Sequence, residues 1–88
     1  MSSRLQKYRS SAALAQGGLC IYCCLPLGRH VTAEHLTARC DGGTDRRDNI
    51  AAAHRRCNQG RHADPRRACL DPEAYATLVL LERSAGFA

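Results

Sequence analysis

The chain has no tryptophan, one phenylalanine, one methionine and one lysine in 88 residues, and only two valines and two isoleucines. These scarcities exclude a large self-sufficient core. Of 39 hydrophobic residues, 14 are alanine and 6 are cysteine, while Leu, Ile, Val and Phe together number 15. So short a chain makes one domain at most, expected over residues 1–88, and a core this thin needs a metal or disulfides to hold it. No run approaches the ~20 apolar residues of a membrane span. The apolar stretch after the basic start, Ala12–Ala15, is four residues, short of the roughly 7–15 of a signal peptide. The expectation is therefore a soluble cytoplasmic protein with no membrane partner, in which cysteines stay reduced and pair for metal rather than for disulfides.

What is present in excess is arginine. Twelve of the 13 basic residues are Arg, the net charge is +5, and residues 29–67 hold nine arginines against five acids. The planar guanidinium fork suits phosphate oxygens, so a basic surface of this composition points to nucleic acid. A solvated charged face would have the same composition, and charge supports a functional reading without carrying it.

The pattern that carries most information is a nested one. Cys20-Ile-Tyr-Cys23 and His54-Arg-Arg-Cys57 each have the two-residue spacing that lets a tight turn aim both donors at one tetrahedral ion, and together they supply a closed Cys3His zinc site. Cys24 or Cys40 is the alternative to His54 as the fourth ligand, and Cys69 reads as a free thiol. Between and beside the pairs stand Glu34, His35, the loop Asp41-Gly42-Gly43-Thr44, Asn49 and Asn58. Zinc would draw the ends of this stretch together and leave Glu34, His35, Asn49 and Asn58 to build a second, hydrolytic site.

Local signals outline the frame. Leu5, Tyr8, Ala12 and Ala15 fall near one face of a helix over about 3–16, stopped by Gly17-Gly18. His30–Leu36 alternates as a short strand, and Asp41-Gly42-Gly43 marks a turn. Asp64-Pro65 is a chain break. Asp71-Pro72-Glu73 starts a helix that runs to about Ser84. Both terminal helices are expected to pack on the metal-bound centre. By propensity Asn49–Ala53 reads as the start of a helix, because Ala is the best helix former.

The constellation over residues 20–62 resembles an HNH endonuclease of the zinc-containing kind, a member of the ββα-metal (His-Me finger) superfamily. It comprises Glu34-His35, Gly42-Gly43 seven and eight residues after the histidine, Asn49, and a two-spaced ligand pair followed at once by Asn58. The resemblance implies a small α+β fold, a zinc-bound ββα core flanked by N- and C-terminal helices, and makes 49–53 a strand rather than a helix. Four departures stand out. Glu34 replaces the usual Asp, Ala38 a common Pro, His54 a frequent Cys, and Asn58 is the alternative to His.

The resemblance also implies a metal-dependent hydrolase of DNA phosphodiester bonds. His35 is the expected general base, since an imidazole near pKa ~6.5 is mostly neutral above pH 7. Glu34 and Asn58 are expected to hold one Mg2+ or Mn2+, with His62 the reserve ligand, while Cys20, Cys23, His54 and Cys57 hold structural zinc. Asn49 would orient His35 or brace the loop, or simply cap a turn. Arg61 is the first candidate for a phosphate clamp, with Arg55 and Arg56 behind it. The expected partner is double-stranded DNA, with RNA the other nucleic acid such a site could take. With little room for a recognition domain, weak specificity or a partner is expected, and an accessory protein or a homodimer is among the partners. The rival readings are a non-catalytic zinc-stapled nucleic-acid-binding module and an accessory protein whose HNH site is vestigial.

Overall fold

The computed structural model describes residues 2–86. Helix α1 spans Ser3–Ala15, capped by Ser2, whose Oγ accepts from the Leu5 N–H. A turn then leads into the Cys20–Cys23 knuckle, closed by backbone pairing of Leu19 with Pro26. Strands β1 (Val31–His35) and β2 (Ile50–His54) form an antiparallel hairpin in which Glu34 opposes Ala51 and Thr32 opposes Ala53. The long connection between them holds two single 3-10 turns, at Arg39–Asp41 and Arg47–Asn49. Helix α2 (Arg55–Ala63) leaves β2 directly, α3 (Pro65–Ala68) is one turn, and α4 (Pro72–Ser84) closes the described chain. Asp64 and Asp71 each cap the helix that follows and are each followed by proline, so Asp64-Pro65 both ends α2 and starts α3.

Residues 51–53 form a strand despite their helix propensity because packing decides the matter. Ala51, Ala52 and Ala53 are buried. Opposed residues of the hairpin share a face and neighbours alternate, so Ala51 and Ala53 lie with Thr32 and Glu34 on one face and Ala52 lies with Ala33 on the other. Helices α1 and α2 both pack against the hairpin, α2 at Thr32 and Glu34. Three alanines let both helices approach a two-stranded sheet that could not stand alone.

The terminal helices do not share one role. Tyr75 of α4 is buried in the cluster that contains Cys20, Tyr22, Cys23, Ala53 and Cys57, and its ring meets Tyr22 edge-to-face at 4.9 Å. Its hydroxyl donates to the Cys57 carbonyl, so α4 packs on the ligand cluster as expected. Helix α1, expected there too, lies instead against the hairpin. Leu5 is its one buried residue, and Ala15, expected on the apolar face, is exposed. The helix has only a short aliphatic stripe to bury, and a polar side chain completes its docking. The Gln16 amide pairs with Ala52 like a neighbouring strand: Ala52 N–H donates to Oε1 at 3.0 Å, and Nε2 donates to the Ala52 carbonyl at 2.9 Å and to that of Leu19 at 2.7 Å.

Gln16→Ala is expected to leave the N–H of fully buried Ala52 without a partner and to cost about 1–3 kcal/mol, the usual penalty for an orphaned buried donor. Denaturant unfolding reads this. Loss of less than about 0.5 kcal/mol, the range of an ordinary surface substitution, would show that Gln16 is not the edge partner of β2.

Candidate active site and metal centre

The ligand atoms of Cys20, Cys23, His54 and Cys57 all lie within 4.8 Å of one another, and the three cysteines are buried. The knuckle presents backbone N–H groups to sulfur: those of Tyr22 and His54 point at Cys20 Sγ at 3.4 and 3.5 Å. The His54 ring is oriented from outside. Its Nε2 donates to the Pro26 carbonyl at 2.9 Å, which leaves Nδ1 with its lone pair facing Cys23 Sγ at 3.3 Å. A hydrogen bond from Cys57 holds the Cys20 thiol down at about 4, while that same interaction pushes Cys57 up. The thiols cannot all ionise without a cation among them, and three sulfurs with one imidazole are the donor set of a structural zinc site. Cys24, Cys40 and Cys69 are exposed free thiols outside the cluster, so His54, not Cys24 or Cys40, completes the group of four that could hold a metal.

Tyr22, between the two knuckle cysteines, reaches the second site. Its side chain is fully buried, and its hydroxyl donates to Glu34 Oε2 at 2.8 Å. Burial, followed by the Glu34 charge, pushes that hydroxyl well above the ordinary tyrosine range, so it stays protonated. Arg61 donates from one guanidinium nitrogen to Tyr22 and Glu34 and from another to the carbonyls of Leu36 and Leu70. Expected as a phosphate clamp, Arg61 is instead 4% exposed. A buried carboxylate needs a paired cation, and α2 delivers Arg61 to it.

With Oε2 committed to Tyr22 and Arg61, Glu34 offers Oε1 to His62 Nε2, 3.2 Å away. Asn58, expected to share a cation with Glu34, instead donates to the Thr32 hydroxyl at 3.1 Å, one helical turn before His62. The residue brought to Glu34 from α2 is thus the reserve candidate. A separation of 3.2 Å is close to the ~3 Å between adjacent ligands of an octahedral ion with bonds near 2.1 Å. These two donors fit a divalent cation.

His35 is the last residue of β1, where the strand ends, and its side chain meets the connection. Its Nε2 lies 2.7 Å from Asp45 Oδ1. Asn49 makes no bond to the His35 ring. It accepts from Thr37 N–H and donates to the carbonyls of Thr37 and Thr44, bracing the loop in the second of the roles expected for it. The glycine pair has a steric cause. Gly42 turns with φ near 90°, and a Cβ on Gly43 would sit 1.7 Å from the Thr37 carbonyl oxygen. Sequence reasoning missed Tyr22 and Asp45. The first was hidden among cysteines whose spacing drew the reading, and the second lies in a loop with no periodicity.

Arg55 and Arg56 are exposed. With Arg29 and His30 they line an open cleft of about 410 Å3 beside His54, at the end of the hairpin where Val31 pairs with His54, away from the His35–Ile50 end.

The sequence profile of HNH endonucleases matches residues 20–64, half of the chain. The chain belongs to the HNH endonuclease family. The matched span holds the hairpin, α2, both ligand pairs and the Glu34-His35 dipeptide, so the small α+β fold with its ββα core is that of an HNH domain. Neither curated proteins nor solved structures give a match. HNH membership implies a nucleic-acid substrate in general. Among the described residues no helix is long and apolar enough to cross a membrane.

Because structural zinc supplies folding free energy on the order of 10 kcal/mol in small domains, Cys20→Ala or Cys57→Ala is expected to leave this HNH domain largely unfolded, with Cys69→Ala unaffected. Circular dichroism with zinc analysis checks this, and native spectra after strong chelation would contradict it. Arg61→Ala, which strands the buried Glu34 charge, is expected to cost roughly 3–5 kcal/mol. Arg56→Ala should leave the melting transition in place and weaken DNA binding with a shallower salt dependence. A stable Arg61→Ala protein whose only defect is DNA affinity would restore the clamp reading.

Proposed function

We propose that the chain is a divalent-cation-dependent endonuclease that hydrolyses phosphodiester bonds of double-stranded DNA. The observation that carries this reading is the pairing of Glu34 Oε1 with His62 Nε2 at 3.2 Å, next in sequence to an imidazole held by its own carboxylate. A structural zinc site has no use for that second group. A module that only bound nucleic acid would need the arginines alone.

A phosphodiester resists attack because nucleophile and diester both repel negative charge, so hydrolysis needs a base and a local cation. His35 takes a proton from water as the oxygen attacks phosphorus. The bond to the 3′ oxygen breaks, that oxygen takes a proton from solvent, and the ends carry 5′-phosphate and 3′-hydroxyl groups. Glu34 and His62 would hold the cation, which would supply charge stabilisation at the crowded phosphorus and the departing oxygen. Tyr22 and Arg61 fix the carboxylate so that one oxygen remains for this task. Arg55 and Arg56, with Arg29, contact backbone phosphates from the cleft beside the zinc centre. Asn58 holds α2 to β1 through Thr32 and acts on the cation only through that brace. Six cysteines without a disulfide among them suit a reducing cytoplasm.

Nicking of supercoiled plasmid tests the reading. Mild chelation that spares the buried zinc is expected to abolish cleavage, and Mn2+ to restore it at lower concentration than Mg2+, because imidazole is a poorer ligand for the harder ion. His35→Ala should lower the rate by about 10²-fold or more, the scale of a lost general base, with zinc content and DNA affinity retained. His62→Ala should raise the Mn2+ requirement more than Asn58→Ala does. Equal cleavage by His35→Ala and the parent would overturn the mechanism, and cleavage of RNA in place of DNA would overturn the substrate.

A further inference from the structure

The contact between His35 and Asp45 goes beyond the residues of the HNH pattern. A neutral imidazole carries one proton on two nitrogens, and a general base must present the bare one to water. His35 Nε2 lies 2.7 Å from Asp45 Oδ1. Among the described residues Nδ1 has no hydrogen-bond partner. Asp45 cannot reverse the sense of this bond, since a carboxylate only accepts. Its carboxyl is held below the ordinary range by the hydrogen bond with His35 and then by that with Arg39. Arg39 donates to both carboxylate oxygens at 2.9–3.2 Å. Arg39 is largely exposed, so the pair adds little stability, but it fixes the direction in which the carboxylate faces.

The loop behind Asp45 is held as well. Asn49 donates to the carbonyl of Thr44, the preceding residue, and bridges both polar backbone groups of Thr37. The contact of Gly43 with Thr37 admits no side chain. Asn49 therefore reaches the base indirectly, through the peptide that carries Asp45.

We infer that Asp45 is a positioning residue for catalysis, locking His35 with its proton on Nε2 so that Nδ1 is the atom that takes the proton from water. This rests on His35 being the base of the proposed reaction. Asp45 touches no substrate; it selects the tautomer and orientation of the ring. The loop at 36–49 then exists to aim this carboxylate.

The experiment uses the zinc-loaded full chain labelled with 15N-histidine, at a pH where His35 is neutral, together with plasmid cleavage under saturating Mn2+. The parent is expected to show a protonated Nε2 and an unprotonated Nδ1 at His35. Asp45→Asn, isosteric but able to donate as well as accept, should mix the tautomers and lower kcat about tenfold or more, the scale of one charge-assisted hydrogen bond, with KM for DNA, zinc content and melting near those of the parent. Asp45→Glu, which keeps an acceptor-only group, should recover part of both the signature and the rate. An unchanged tautomer with unchanged kcat in Asp45→Asn overturns the inference, as does a faster Asp45→Asn, which would make the contact a block on the base. His35→Ala in the same assay separates the two readings. If it cleaves like the parent, the role of His35 as base has failed, whereas a dead His35→Ala beside an unaltered Asp45→Asn rejects the role of Asp45 alone.

Discussion

The closure of the Cys3His cluster is the constraint on which the rest of the molecule depends. Cys23 and His54 stand 31 residues apart, and nothing in the intervening chain has enough apolar bulk to hold the ends together unaided. Joining them removes the closure entropy of that loop before any catalytic contact is made. It also defines where α2 begins, because His54 is both the last residue of β2 and the residue preceding the first turn of α2. With the start of that helix fixed, its later turns must cross the hairpin, and Asn58, Arg61 and His62 reach β1 in sequence order. The thin core is built around the Cys3His cluster: Tyr22, Ala53 and Tyr75 pack against the cysteines themselves.

Tyr22 makes the two centres one structure. It sits inside the cysteine knuckle and donates to the buried carboxylate of the second site, so disorder in the knuckle would strip buried Glu34 of a hydrogen-bond donor. Replacement of the usual Asp by Glu fits this arrangement. The longer arm lets one oxygen remain with Tyr22 and Arg61 while the other faces His62. A buried charge of this kind stabilises little in net terms, because desolvation offsets most of the Coulomb gain. Its consequence is geometric: one oxygen is left in one direction.

Much of this was legible in the residues. The Cys3His cluster could be read because two-residue spacing has a direct geometric meaning, and the helix start at Asp71 because caps and proline act locally, whereas Asp64-Pro65 read only as a chain break and the one-turn helix it starts was missed. The strand at Ile50–His54 was legible only through family resemblance. Its alanines speak for helix, and burial against two helices outweighs that preference. Arg61 misled because an arginine three residues past Asn58 looks like a phosphate contact until the depth of Glu34 is known. The choice of His62 over Asn58 depends on the angular position of one helical turn against β1, which no spacing rule resolves to better than a turn. Asp45 depends on the path of an irregular loop, and loops carry no period to read.

Two metals in two distinct sites, one structural and one at the Glu34–His62 pair, are the centre of this account. A crystal structure of the zinc-loaded protein grown with Mn2+, with diffraction recorded at the manganese and zinc absorption edges, tests it most directly. Zinc is expected among Cys20, Cys23, His54 and Cys57, and manganese bound to Glu34 Oε1 and His62 Nε2. Manganese at Asn58 and away from His62, or zinc absent from the cysteine cluster, would contradict it.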